Sequence, residues 1–403
     1  MINSKTIHGL IYDPISFTGG SKIATSDALA LCDSKRCQFT VITSDPTFWQ
    51  NSSLAVTHSL KVVRLPEIKS LKKKQHGLGY WLKQGFQALT LLIQLGLIQK
   101  TDFAIGASGP GVDMPLYLLK RVFNLKVIQF IHGPVGASRS IGHSLLVADQ
   151  VFYLKSARAT MENALQRYYR HHETSTNAVQ SQIQQFFDRT TTSSFDNGIS
   201  DQRWPSPSVT EEPVLFWCAS LLKWKGLDTF LDAVKQTRKL KYLEANVCFI
   251  RPKDISLPVS TAPINLKGVN WYEQPNDLDK IRAQSSIFVS TSTNEPFGLS
   301  ILEALAAGHA VIIPDDGAYW DQVLTHNKNC IKYKAGDMHA LCDAILLAAC
   351  DANLRLTLRK NAIEFSQKYR SAQCYSQIAH TIDSLVTKET VTLMASSHNK
   401  GDA

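Results

Sequence analysis

The chain has 403 residues, 44% of them hydrophobic and 19% charged, too long for one ordinary core and too apolar for a disordered protein, so two or three domains are expected. Lys plus Arg outnumber Asp plus Glu 43 to 34, a modest excess that suits an acidic partner: a phosphorylated substrate, nucleic acid or an anionic membrane. No apolar run reaches the ~18 residues of a spanning helix, and the start lacks the cationic, cleavable pattern of a signal peptide, so a cytoplasmic protein is expected.

Short β-branched runs at 7–12, 39–43, 61–65, 103–107, 127–132 and 151–154 read as strands, with helical patterns at 21–33, 78–97 and 112–123 between them. Gly19 and Gly20 fall between the first strand and its helix, where bare backbone can approach a phosphate. Lys69, Lys72, Lys73, Lys74 and Lys83 crowd around Tyr80, Trp81 and Phe86. Cations mixed with aromatics fit an anionic membrane surface better than nucleic acid, for which no binding module is recognisable; an ordinary solvated helix face is the bland alternative. Residues 171–208 are polar and end in Trp204-Pro205-Ser206-Pro207, which reads as a connector with a helix at 178–187. Further strands are expected at 214–218, 247–250, 264–269, 287–291, 311–314 and 330–333. Such alternation makes an α/β protein with two doubly wound parallel-sheet domains. The expected boundaries are 1–195 and 205–371, with a helix at 372–386 packing back on the first domain and a frayed tail at 387–403. The eight cysteines include no CxxC pair and read as reduced thiols.

The most informative stretch is 286–314. A buried strand to Thr291 leads into a polar loop, Ser292-Thr293-Asn294-Glu295-Pro296-Phe297-Gly298, and then a helix from Leu299 closed by Gly308. The loop therefore sits at the carboxyl end of a parallel strand, where open α/β sheets bind ligands. Amides at Phe297, Gly298, Leu299 and Ser300 would face an anion there, with Glu295 and Glu303 as acceptors for hydroxyl groups on either side of it.

The string from Asn294 to Gly308 resembles the E-x7-E motif of family 4 of the retaining GT-B glycosyltransferases. The run Ala219-Ser220-Leu221-Leu222-Lys223-Trp224-Lys225-Gly226 is similar to that family's strand–loop–KG–helix, although Ser220 stands where the family usually has an Arg. Asp196-Asn197-Gly198-Ile199 is similar to its interdomain connector, and Asp316-Gly317-Ala318 to a worn form of its glycine turn. The resemblance implies two facing Rossmann-like domains with an interdomain cleft. It also implies a UDP- or GDP-sugar donor, a glycan or lipid-linked acceptor, and neither cofactor nor metal. Glu295, His132 and Lys225 become the catalytic residues. Gly19, Gly20, Lys225, Phe297, Gly298, Leu299, Ser300 and Glu303 become the nucleotide-sugar-binding set. The expected activity is retaining transfer of a hexose-type sugar in cell-surface polysaccharide synthesis. The alternatives are a non-catalytic sugar-nucleotide-binding subunit and a GT-B epimerase or phosphorylase. Asp277-Leu278-Asp279 matches a metal-binding D-x-D pattern but lies where a helix begins, so capping is the expected role. His171-His172 reads as solvated surface, and no phosphate-binding P-loop or dinucleotide fingerprint occurs.

Overall fold

The computed structural model describes residues 6–385 apart from 67, 72, 73, 75, 98–100, 172, 174 and 253–256. It divides into two compact units: the described residues up to Gly198 together with those from Ser371 onward, and Ile199–Arg370.

The first unit is built on seven strands: β1 Ile7–Asp13, β2 Cys37–Thr43, β3 Leu60–Arg64, β4 Phe103–Gly106, β5 Lys126–Ile131, β6 Gln150–Leu154 and β7 Thr192–Phe195. Every pairing is parallel, in the order β3-β2-β1-β4-β5-β6-β7. Parallel strands need crossover connections, which here include helices α1 (Gly20–Leu29), α2 (Gly77–Leu97) and α3 (Met114–Lys120). The central strand β4 is apolar because both of its faces are covered, and all four of its residues are buried. Residues 376–385 are helical and belong to this unit. Ile378 and Ile382 are buried, and Asp383 accepts a hydrogen bond from the Asp33 amide at 3.2 Å.

The second unit carries β8 Leu215–Ser220, β9 Ala245–Ile250, β10 Val269–Glu273, β11 Ile287–Val289, β12 Ala310–Asp315 and β13 Ile331–Lys334, all parallel, in the order β10-β9-β8-β11-β12-β13. Its helices include α4 (Leu227–Thr237), α5 (Leu278–Ala283) and α6 (Leu299–Ala306).

Two elements differ from the sequence reading. The strand expected at 264–269 lies later, at β10, because Ile264 and Leu266 are loop residues that tuck into the core; composition alone does not separate those two uses of an apolar side chain. The polar stretch taken as connector is largely structured. Besides the expected helix, which runs Thr176–Phe187, it holds β7, an edge strand whose inner residues Ser193 and Ser194 are only half-buried. The expected tail at 387–403 lies outside the described residues, as do Lys72, Lys73 and His172.

Gly226, at the start of α4, fixes how closely two strand ends approach. It has φ +75°, and a Cβ there would lie 2.1 Å from the Thr291 carbonyl oxygen. Gly317 has φ +74° with nothing within 4 Å of its would-be Cβ. Gly317→Ala should therefore cost about 1 kcal/mol from backbone strain alone, and Gly226→Ala at least ~3 kcal/mol because the loops must also part. Urea denaturation of the two variants tests this; equal losses would contradict it.

Candidate functional site

In the second unit the sheet order reverses between β8 and β11, and the loops leaving these two strands meet. Such a switch point is where doubly wound sheets bind ligands. After β8 the chain makes a single 3-10 turn at Lys223–Lys225 and enters α4 through Gly226. After β11, the Thr291 hydroxyl donates to the Gly226 carbonyl at 2.8 Å and receives a hydrogen bond from the Trp217 indole at 3.1 Å. The Thr293 amide donates to the Trp224 carbonyl at 2.9 Å. These bonds clamp one loop against the other.

The clamp brings the Lys225 ammonium to 2.5 Å from Glu295 Oε2, with both side chains largely buried, and sets it 4.1 Å above the Trp224 ring. Glu295 lies beside Gly298, the residue before α6, which has φ +74°; a Cβ at Gly298 would sit 2.8 Å from Glu295 Cγ. Helix α6 begins without a side-chain cap. The Ile301 amide makes its first hydrogen bond, to the Gly298 carbonyl at 3.0 Å, so the Leu299 and Ser300 amides precede the helical ladder and carry the partial positive charge of a helix N-terminus. Lys225, Glu295, Gly298, Leu299 and Ser300 thus form one group, with the donors that an anion needs.

Phe297 plays a different part. Its side chain is 2% exposed and packs against Tyr319, Trp320 and Tyr369, with ring centroids 4.8, 5.1 and 6.1 Å away. It anchors the loop, and only its backbone is available to a ligand. The worn glycine turn supports the same loop: Asp316 accepts from the Asn294 amide at 2.8 Å, and Asp321 holds the Gly317 amide at 2.8 Å and the Lys332 ammonium at 2.7 Å.

Glu303, on α6, is buried between two arginines. Arg282 Nη2 meets Oε2 at 2.7 Å, and Arg203 Nη2 meets Oε1 at 3.3 Å. Arg282 is itself buried and also pairs with Asp279 at 3.0 Å. The sequence reading missed both arginines; a lone Arg between apolar Ile281 and Ala283 near a helix end was the available sign. The D-x-D pair lies at the start of α5, with Asp279 in its first turn. Asp277 takes the N-cap position without a side-chain capping bond, while Asp279 serves Arg282 and accepts from the Ser206 amide at 3.0 Å. Among the described residues, no cluster of His, Cys, Asp or Glu is suited to hold a metal. Lys223, the nearest other cation to the Ser220 position in this loop, pairs with Asp228 at 2.8 Å. Nearby, burial pushes the Cys218 thiol up to about 12, and the charge of Glu303 adds to that.

The remaining expected residues lie in the first unit, around α1. Gly19 has φ −133°, which any residue can adopt, and a Cβ there would meet only the Phe17 ring at 3.7 Å. Local structure does not require this glycine, and Gly20 opens α1, again without a side-chain cap. Lys22, two residues on, is 4% exposed and held by Asp13 and Asp45, both at 3.0 Å, and by the Ile15 carbonyl at 2.7 Å; this buried network ties down the glycine loop. His132 follows β5 and stacks on Phe130. Its Nε2 lies 2.9 Å from the Thr25 hydroxyl, whose own proton goes to the Ser21 carbonyl at 2.8 Å. That assignment puts the ring proton on Nε2. Burial pushes His132 down to about 4, against a smaller opposing effect of the Asn197 side chain. The ring is therefore neutral near pH 7 and cannot act there as a cationic acid.

Comparison with known proteins turns on the second unit. Residues 198–365 match the family model of glycosyl transferases group 1. Over 168 residues the chain is 24% identical to a Campylobacter jejuni N,N'-diacetylbacillosaminyl-diphospho-undecaprenol alpha-1,3-N-acetylgalactosaminyltransferase, covering 41% of this chain and 43% of that one. It is 26% identical over 157 residues to the Escherichia coli O-antigen biosynthesis glycosyltransferase WclY, covering 38% and 39%. The matches thus span less than half the length of these curated relatives. Among solved structures, Anabaena HepE in complex with UDP and glucose superposes with a TM-score of 0.66 at 15% identity, covering 94% of this chain and all of that one. Sucrose-phosphate synthase of Thermosynechococcus elongatus gives 0.67 at 14%, with the same coverage. The fold is α/β of the GT-B type, with two Rossmann-like parallel-sheet units.

Beneath the site, His309 is fully buried; its Nε2 donates to the Arg282 carbonyl at 3.0 Å, and burial pushes it down to about 3. The unfolded chain then binds a proton between about pH 6.5 and 3 that the native state refuses, so stability must fall as pH falls through that window. His309→Gln, which keeps a donor, should flatten the acid loss by up to about 1.4 kcal/mol per pH unit. Urea midpoints of wild type and variant from pH 7 to about 4 check this; parallel curves would contradict it.

Proposed function

We propose that the protein is a retaining, metal-independent glycosyltransferase that moves a hexose-type sugar from a UDP- or GDP-sugar to a glycan or lipid-linked acceptor in cell-surface polysaccharide synthesis, working from the cytoplasmic side. The observation that carries the reading is the Lys225–Glu295 pair lying at the N-terminus of α6, at the switch point of the sheet. The relatives add support: the C. jejuni enzyme is named for a diphospho-undecaprenol acceptor, WclY for O-antigen synthesis, and HepE is bound to UDP and glucose.

In this mechanism the donor diphosphate becomes the partner of Lys225 and of the Leu299 and Ser300 amides. Glu295, released from Lys225, turns to hydroxyls of the donor sugar. Glu303, held in one orientation by Arg203 and Arg282, accepts from the ribose hydroxyls. The acceptor oxygen bonds to the anomeric carbon from the face that the diphosphate leaves, and its proton passes to a departing phosphate oxygen. Lys225 and the α6 amides stabilise the negative charge gathering on that leaving group as the glycosidic bond to phosphate breaks; one such donor is typically worth about 10²- to 10³-fold in rate. The commitment of Lys223 to Asp228 favours a second reading, a binding subunit without turnover.

Release of nucleoside diphosphate from a labelled UDP- or GDP-sugar tests the proposal. Lys225→Met should lower kcat about 10²- to 10³-fold, and Glu303→Gln should raise the donor KM with a smaller effect on kcat. Glu303→Gln is preferred to Ala because it leaves Arg282, 5% exposed, with a hydrogen-bond acceptor. Normal kinetics in both variants would overturn the assignment, and absence of release by wild type would favour the binding subunit.

A further inference from the structure

Helix α2 reverses the usual sidedness of a surface helix. Facing inward are the polar Gln84, Gln87 and Thr90, each 8% exposed or less, beside Ala88 and Leu91. Facing outward are Leu78 (77% exposed), Trp81, Leu82, Leu89, Leu92 and Ile93. At 100° per residue these six fall on one stripe about 120° wide running the length of the helix. The two gaps in the stripe are Gly85 and Gly96, both exposed, so no polar side chain interrupts it. Twenty-one residues make the stripe about 30 Å long. The helix is pinned in this rotation by Tyr80, whose hydroxyl donates to the Gly111 carbonyl at 2.7 Å. A polar-inward, apolar-outward arrangement is unfavourable in water and suits an apolar surroundings on the outer side.

Charge selects among the surfaces that could supply it. Residues 68–101 contain six lysines and no Asp or Glu. Lys72, Lys73 and Lys100 lie outside the described residues, whereas Lys74, just before the helix, is exposed. Two copies of the chain meeting through α2 would bring like charges together, whereas an anionic lipid surface complements them. No helix among the described residues is long and apolar enough to cross a membrane, so the arrangement is one of lying in the interface.

We infer that α2 is a bilayer-docking helix. It lies flat on an anionic lipid surface with Leu78, Trp81, Leu82, Leu89, Leu92 and Ile93 at the acyl boundary and Lys74 at the level of the headgroups. The inference does not depend on the reading of the donor site, and its test uses no nucleotide. The full-length protein should float with phosphatidylcholine vesicles containing about one-third phosphatidylglycerol, and much less with phosphatidylcholine alone. The chain carrying Leu82→Gln, Leu89→Gln and Ile93→Gln together should bind the anionic vesicles at least ~10-fold more weakly, with an unchanged thermal melt because the replaced side chains are exposed. The single variant Leu89→Gln should weaken binding in the same direction, which covers the case of a misfolded triple variant. Three results would overturn the inference: no binding by wild type, undiminished binding by both variants, or a wild-type dimer in light scattering that the substitutions convert to monomer. The last would assign the face to a second copy.

Discussion

The candidate site depends on one close approach: the Thr291 carbonyl oxygen occupies the space that a Cβ at residue 226 would need. Because Gly226 yields that space, the loops after β8 and β11 touch, and the Thr291 hydroxyl can bridge to the Gly226 carbonyl. Lys225 then has no choice of neighbour: its ammonium is delivered to Glu295 at the head of α6. The parallel topology supplies the rest, since the reversal of strand order between β8 and β11 sends both loops to the same edge of the sheet.

The electrostatics follow from that placement. A largely buried Lys–Glu pair is held together at the cost of desolvating both charges, and in the proposed mechanism a diphosphate would offer the lysine a second, more highly charged anion. Helix α6 contributes its unpaired first-turn amides to the same point. Glu303 sits one and a half turns further along the helix, and its two arginines hold it in one orientation. Anion donors lie at the head of the helix and a fixed hydroxyl acceptor on its flank, which is the order of groups that a nucleoside diphosphate presents. Lys22 and its two aspartates fix the glycine loop of the first unit by the same device, a buried cation satisfied on every side.

Much of this was legible in the sequence wherever function lies within one strand–loop–helix step. The change of hydrophobic period between Ile287 and Ala306 gave the strand, the loop and the helix, and so the location of Glu295 and the α6 amides. What could not be read are contacts between residues far apart in the chain. Arg203 and Arg282 reach Glu303 only because three separate segments converge. That Lys223 pairs with Asp228 is likewise visible only in the fold. Phe297 looked like part of a binding loop, but its ring belongs to an aromatic core cluster formed with Tyr319, Trp320 and Tyr369. The 78–97 helix was evident from its apolar spacing, but not its rotation: periodicity shows that a face exists and leaves open whether it turns inward.

The central claim is that the Lys225–Glu295 pair at the head of α6 marks the seat of a donor diphosphate. The most direct measurement is a thermal-shift titration of the purified full-length protein with UDP-, GDP- and ADP-sugars, since a ligand that binds only the native state raises the melting temperature by mass action. The account predicts a concentration-dependent rise with at least one UDP- or GDP-sugar that is lost in Lys225→Met. No rise with any of them, or an equal rise in the variant, would contradict it.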